Sequence, residues 1–299
     1  SVAGEIVSGN HIEDQKMKIL VTGVGGQLGY DVCKVLDARK IENKGVDLAD
    51  FDITDAQATH DYIAAYRPDA VIHCSAWTAV DKAEDELDKV RAVNTEGPRN
   101  IAKVCKEIGA KMLYISTDYV FPGTGERFYE PDDPTGPLGA YGSTKLGGEL
   151  AVKEQLDNYF IVRISWVFGK NGNNFVKTML RLAETHDELN VVCDQIGSPT
   201  YTADLAPLLC DMVQTERYGI YHATNEGGYI SWYDFTREIY RQAGYTTKVL
   251  PVTTAEYGLS KAARPFNSRL DKSKLVENGF TPLPTWQDAL SRYLKEIKA

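Results

Sequence analysis

Cysteine and histidine, the residues that usually announce disulfides or metal chemistry, are thin in this chain: five of each in 299 residues. Cys33, Cys74, Cys105, Cys193 and Cys210 are odd in number, widely spaced and set mostly in apolar segments. That pattern predicts reduced core thiols of a cytoplasmic protein, not a disulfide framework. No Cys/His pair has zinc spacing, so no metal site is expected. Positive charge is also in deficit: 33 Lys and Arg against 42 Asp and Glu leave a net −9, which argues against a nucleic-acid partner. No apolar run approaches the roughly 20 residues that cross a bilayer, so no membrane partner is expected. Internal repeats and low-complexity tracts are lacking as well.

What is present is the composition of a globular protein, 43% hydrophobic and 25% charged, long enough for one large domain or two moderate ones. The opening SVAGEIVSGNHIEDQK is polar and has no apolar stretch of the signal-peptide kind, so residues 1–16 read as a leader or extension outside the fold. From Met17 short apolar runs alternate with helical periodicity. MKILVTG, DAVIHCSA (69–76), KMLYISTD (111–118) and YFIVRISWVFG (159–169) read as buried strands. Helices are predicted over 56–66, 88–108 and 141–156. This alternation predicts an α/β fold, a Rossmann-type doubly wound parallel sheet over residues 17–168. Beyond 169 the alternation weakens, and residues 169–299 read as a smaller mixed α/β substrate domain with some elements returning to the main sheet. The proline- and glycine-rich segment 122–139 is too long for a plain connection and predicts a substrate-side loop.

The first strand runs into GVGGQLG, where Gly23, Gly26 and Gly29 open a helix as G-x-x-G-x-x-G; the commoner G-x-G-x-x-G is broken by Leu28. Glycine here makes the tight turn, lets backbone N–H groups reach a pyrophosphate and lets the helix pack closely. An acid roughly 20 residues on completes the dinucleotide pattern. Asp47 fills that place, taking a ribose hydroxyl and favouring NADH, whereas a nearby arginine would favour NADPH. Asp52 with Ile53, contacting adenine, is the alternative.

Reduction of a ketone needs a hydride, a proton donor and a group that holds the carbonyl. Tyr141 and Lys145 in AYGSTK stand at i and i+4, one face of a helix. A free tyrosine ionises near pH 10; an adjacent ammonium pulls that value down. Thr117, ending the run ISTD, lies where parallel sheets bind ligands and offers a hydroxyl to the substrate carbonyl.

With these motifs on the page the chain resembles the extended short-chain dehydrogenase/reductases and, within them, the dTDP-4-dehydrorhamnose reductase family. The matching pieces include GVGGQLG, SAWTAVDKAE, ISTDYVF, YGSTKLGGE, RISWVFG and RPFNSRLD. The resemblance implies a catalytic set of Thr117, Tyr141 and Lys145. It also implies cofactor contacts from Gly26, Gln27, Leu28, Asp52, Ile53, Ala76, Trp77 and Thr78, and substrate contacts from Thr117, Asp118 and Trp166. Trp77 stands where relatives often carry histidine or tyrosine. Val80 and Asp81 are placed near the sugar by the same resemblance, and Arg264 against the nucleotide diphosphate. Related sugar-nucleotide dehydratases carry Asp-Glu after the threonine; here the pair is Asp118 and Tyr119, so reduction is expected and elimination is not. The implied substrate is dTDP-4-dehydrorhamnose, a dTDP-deoxysugar, with NADPH or NADH as cofactor and a possible homodimer. Two alternatives stay open: a related sugar-nucleotide epimerase or 4-ketoreductase, and a non-catalytic NADP-binding subunit like the methionine adenosyltransferase β-subunit.

Overall fold

The structure, a computed structural model, describes residues 16–258 and 260–298, so the expected leader lies outside the described residues apart from Lys16. Six strands, Lys18–Thr22 (β1), Glu42–Val46 (β2), Ala70–His73 (β3), Lys111–Thr117 (β4), Tyr159–Ile164 (β5) and Gly219–His222 (β6), build the main sheet. All are parallel, in the order β6-β5-β4-β3-β1-β2. The longer helices are Gln27–Ala38 (α1), Ala56–Tyr66 (α2), Gly97–Ile108 (α3), Ala140–Gln155 (α4), Phe175–Ala183 (α5), Thr202–Val213 (α6), Trp232–Ala243 (α7) and Trp286–Lys298 (α8).

Strand alternation sends Leu113 and Ile115 of β4 to one face and Met112 and Tyr114 to the other. Both faces are therefore apolar and both must be covered. Val32 and Leu36 of α1, with Leu205, Leu209 and Met212 of α6, close the first. Ile63 of α2, Ile101 and Val104 of α3 and Val152 of α4 close the second. Residues after 169 thus supply both a strand, β6, and a covering helix, α6, to the main sheet. The rest of that half gathers, around Phe168, a third core that includes Tyr201, Phe235, Trp286 and Tyr293, beside the parallel pair Glu188–Val192 and Lys248–Val252.

Two predicted elements are broken, each for a local reason. The run 159–169 stops at Trp166, whose φ of 50° turns the chain; Val167–Phe168 then pairs with Thr200–Tyr201 instead. The helix expected over 88–108 comprises Leu87–Arg91, a π turn at Ala92–Glu96, and α3. Pro98 has no N–H to return to the Asn94 carbonyl, which the Tyr114 hydroxyl approaches at 3.4 Å. Segment 122–139 has no regular element and packs on the C-terminal half through Tyr129, which bridges Leu270. None of its residues lines the cleft described next.

Candidate active site

In this strand order the chain reverses direction across the sheet between β1 and β3, and the crevice beyond their carboxyl ends is where such sheets bind ligands. A cleft of about 860 Å³ opens there. Its first wall is the glycine turn. Gly23 has φ 71°, and a Cβ on it would lie 2.8 Å from the Ser75 amide nitrogen. A Cβ on Gly29 would lie 2.2 Å from the Gly23 carbonyl oxygen. No side chain with a Cβ fits either place. Thr22 fastens the neighbouring turn: its hydroxyl meets His73 Nδ1 at 2.6 Å and accepts from the Cys74 and Ser75 amides. Gly26 caps α1 without a side-chain hydrogen bond, so the helix's first N–H groups face the cleft with their partial positive charge free for an anion. This cradle fits a dinucleotide pyrophosphate.

The opposite wall carries the expected reactive set. Thr117 ends β4, while Tyr141 and Lys145 project from the first turns of α4, and all three line the cleft. Lys145 is 3% exposed; its Nζ donates to the Ile115 carbonyl at 2.6 Å and lies 4.5 Å from the Tyr114 ring centroid. Burial pulls its pKa down to about 7, against the opposing pull of Glu149 and then Cys74. Tyr141 is pushed up to about 12, by burial first and then by the Asp118 carboxylate, with the Thr117 hydroxyl acting against both. The expected depression by the Lys145 ammonium is not among these causes. A lysine turned onto Ile115 and a tyrosine beside a carboxylate give a phenol that keeps its proton, which is the state a proton donor needs. Asp118 itself is buried and raised to about 6, desolvation outweighing its bonds from Ser268 and Thr117.

The other expected residues divide into three groups. Gly23, Gly26, Gln27, Leu28, Gly29, Asp47, Ala76, Thr78, Val80, Asp118, Trp166 and Arg264 line the cleft with the reactive set. Asp47 accepts the Gly25 amide at 2.7 Å. The Gln27 side chain reaches across instead, accepting from the Gly169 amide and Asn174 Nδ2 at 2.9 Å each. Asp52 and Ile53 line a smaller adjoining cleft of about 210 Å³ that shares Asp47, Ser75 and Ala76 with the first. Trp77 and Asp81 line neither. Trp77 packs against the cluster of Ala83, Val90 and Ala140, as Tyr141 also does. Asp81 holds Arg264 Nη2 at 2.9 Å, and Arg264 Nη1 is buried without a partner among the described residues.

Sequence reasoning missed Trp232, Asn171 and Gln195, which also line the cleft. Trp232 stacks on Trp166 with centroids 3.6 Å apart, and Asn171 Nδ2 donates to the Gly25 carbonyl at 3.0 Å. All three lie beyond residue 169 and reach the site through tertiary packing that no local pattern foretells. Away from the cleft, Glu130, Asp132 and Asp133 bring carboxylate oxygens within 4.8 Å of one another. Asp133 is tied there to Arg127 and to the Glu130 amide. Among the described residues no helix is long and apolar enough to cross a membrane.

The family model described as the RmlD substrate binding domain matches residues 17–299. The chain belongs to that family. It is similar to a dTDP-4-dehydrorhamnose reductase of Streptomyces griseus, 44% identical over 91% of each chain. It is similar also to a solved dTDP-4-dehydrorhamnose reductase of Clostridium acetobutylicum, with a TM-score of 0.92 and 42% identity over 95% of this chain and 100% of that one. A third, from Bacillus anthracis, was solved in complex with NADP; it has a TM-score of 0.90 and 42% identity over 94% and 99% of the two chains.

Proposed function

We propose that this protein reduces the C4 ketone of dTDP-4-dehydrorhamnose (dTDP-4-dehydro-6-deoxy-L-mannose) to dTDP-L-rhamnose. The observation that carries the reading is the convergence of Thr117, Tyr141 and Lys145 on one wall of a cleft whose other wall is a pyrophosphate cradle. When bound, a reduced nicotinamide supplies the hydride for sugar C4. Tyr141 gives its proton to the developing O4 oxyanion, and Thr117 holds that oxygen in place. Lys145, on the same face of α4 as Tyr141, would hold the nicotinamide ribose. Trp166, backed by Trp232, walls the deoxysugar. The unpartnered Arg264 Nη1 suits the substrate diphosphate, since a buried guanidinium N–H without an acceptor is costly until an anion meets it.

Cofactor choice has support on both sides. The NADP of the Bacillus anthracis relative favours NADPH. The Asp47 carboxylate in the cleft favours NADH, and apart from Lys145 and Arg264 no cation lines either cleft among the described residues. A cytoplasmic location and a homodimer belong to the same reading.

The test is consumption of NADPH and of NADH, measured separately, on addition of dTDP-4-dehydrorhamnose. Tyr141→Phe is expected to lower turnover by about 10²–10⁴-fold with the fold intact, the usual weight of a positioned proton donor. Near-parental turnover in that variant would refute the mechanism. Product stereochemistry at C4 separates this reaction from that of a reductase for another 4-keto sugar.

A further inference from the structure

Beneath the reactive wall lies a buried charged group that the reaction as written does not use. Helix α4 presents Tyr141, Lys145 and Glu149 at successive four-residue steps, so all three share a face. Glu149 is 1% exposed and Arg163 of β5 is 2% exposed. They pair in bidentate fashion, Nη2 to Oε1 at 2.7 Å and Nε to Oε2 at 3.0 Å. The Ser116 hydroxyl also donates to Glu149 Oε2. Ser116 stands in β4 between Ile115, whose carbonyl receives Lys145, and Thr117. One carboxylate therefore ties together the helix that bears Tyr141 and Lys145 and the strand end that bears Thr117.

We propose that Glu149 is a positioning residue for Lys145, fixing β4 against α4 through Ser116 and favouring the charged lysine on the Ile115 carbonyl. The inference rests on the reductase reading only for its effect on turnover; its effect on Lys145 stands apart from any substrate. Burial alone disfavours an ammonium, and a fixed carboxylate one helical turn away offsets that cost. Arg163 holds the Glu149 carboxylate in place with two hydrogen bonds, and its Nη1 is further held by the Pro131 carbonyl at 3.0 Å and lies 3.3 Å from His222 Nε2. Of the other titratable groups around this site, Asp118 is raised to about 6 by burial and changes state on the acid side of neutrality, while the rest keep one state. His73 and His222 are both pulled down to about 3 by burial, aided by Lys145 and Arg163 respectively, so both are neutral. Burial raises the Cys74 thiol and the Tyr114 and Tyr141 phenols, which keep their protons. Glu84 is occupied at the helix start by the Ala140 amide. Glu149 is therefore the main negative charge opposing the burial-driven loss of the Lys145 proton.

The experiment follows the Lys145 peptide by competitive acetylation and mass spectrometry across pH, in the parent, in Glu149→Gln and in Glu149→Gln/Arg163→Met. The double variant removes both members of the buried Glu149–Arg163 pair, so Arg163 is not left without its partner, and it guards against loss of the fold in the single one. Lys145 is expected to titrate about one pH unit lower in the variants. The alkaline limb of reductive kcat should move with it, costing up to about tenfold above pH 8 while the acid-side plateau is retained. A folded variant whose Lys145 titrates as in the parent overturns the proposal. An unmoved pH profile beside a uniform loss of rate would do so too. A parent that binds cofactor but does not reduce the sugar would defeat the reductase reading alone, and the acetylation result would still decide the role of Glu149.

Discussion

At the scale of single residues, the grouping of Thr117, Tyr141 and Lys145 was legible because its spacing is local. Tyr141 and Lys145 need only one helix, and Thr117 only a strand end. Their ionisation was not legible, because it depends on neighbours from elsewhere in the chain. Asp118 raises Tyr141, and Ser268 holds Asp118 across 150 positions at 2.6 Å. The same carboxylate gives a stability prediction. Its folded-state pKa of about 6 lies above the ordinary value of 3.8, so its protonated form stabilises the fold below about pH 4. That contribution is lost as pH rises through 6. At neutral pH the buried charge is a liability on the order of 3 kcal/mol. Asp118→Asn should therefore raise the melting temperature at pH 7 and give little gain near pH 4, while lowering turnover. Thermal melts at the two pH values check it, and an equal shift at both would contradict the assignment of burial as the cause.

At the scale of elements, helices and strands with strong periodicity were found close to their limits, and the two breaks fell where backbone chemistry intervenes. Pro98 forced the π turn, and Trp166 took a left-handed conformation that its side chain alone does not announce. The link between halves of the site was invisible for a different reason. Asn174 caps α5, accepting from the Lys177 amide at 3.0 Å, while its Nδ2 reaches Gln27 Oε1, the Gly169 carbonyl and the Tyr293 hydroxyl. A cap can be guessed from sequence; a cap that also braces a glycine turn cannot. Asn174→Ala should cost roughly 1–2 kcal/mol for the lost cap and its buried partners. It should also raise the KM for cofactor more than it lowers kcat, because the glycine turn loses its brace while the reactive wall keeps its own. Denaturant titration and steady-state kinetics read the two effects separately.

For the molecule as a whole, the parallel sheet with helices on both faces was readable from alternating strand and helix patterns. The way the chain closes that sheet was not. Strand β6 and helix α6 come from beyond residue 200, and nothing in GIYH or TADLAPLLCDMV says which surface each will cover. Leu205, Leu209, Met212 and Tyr221 are fully buried against the face that α1 only partly shields. A fragment ending at residue 168 would leave that face open. It is expected to be aggregated or loosely packed, with helical circular dichroism but strong binding of a hydrophobic dye and no cooperative melt. A sharp two-state melt of that fragment would show that residues up to 168 are self-sufficient.

The stacked Trp166 and Trp232 rings have a spectroscopic consequence. Two indoles 3.6 Å apart and 15° from parallel act as coupled oscillators, and they are half of the four tryptophans in the chain. Their coupling gives a paired positive and negative band in the ultraviolet circular dichroism, and their emission is quenched relative to isolated indoles. Because both rings border the cleft, anything that enters beside Trp166 changes the angle or the screening between them. The protein thus carries its own optical gauge of occupancy, readable without a label and before any chemistry takes place.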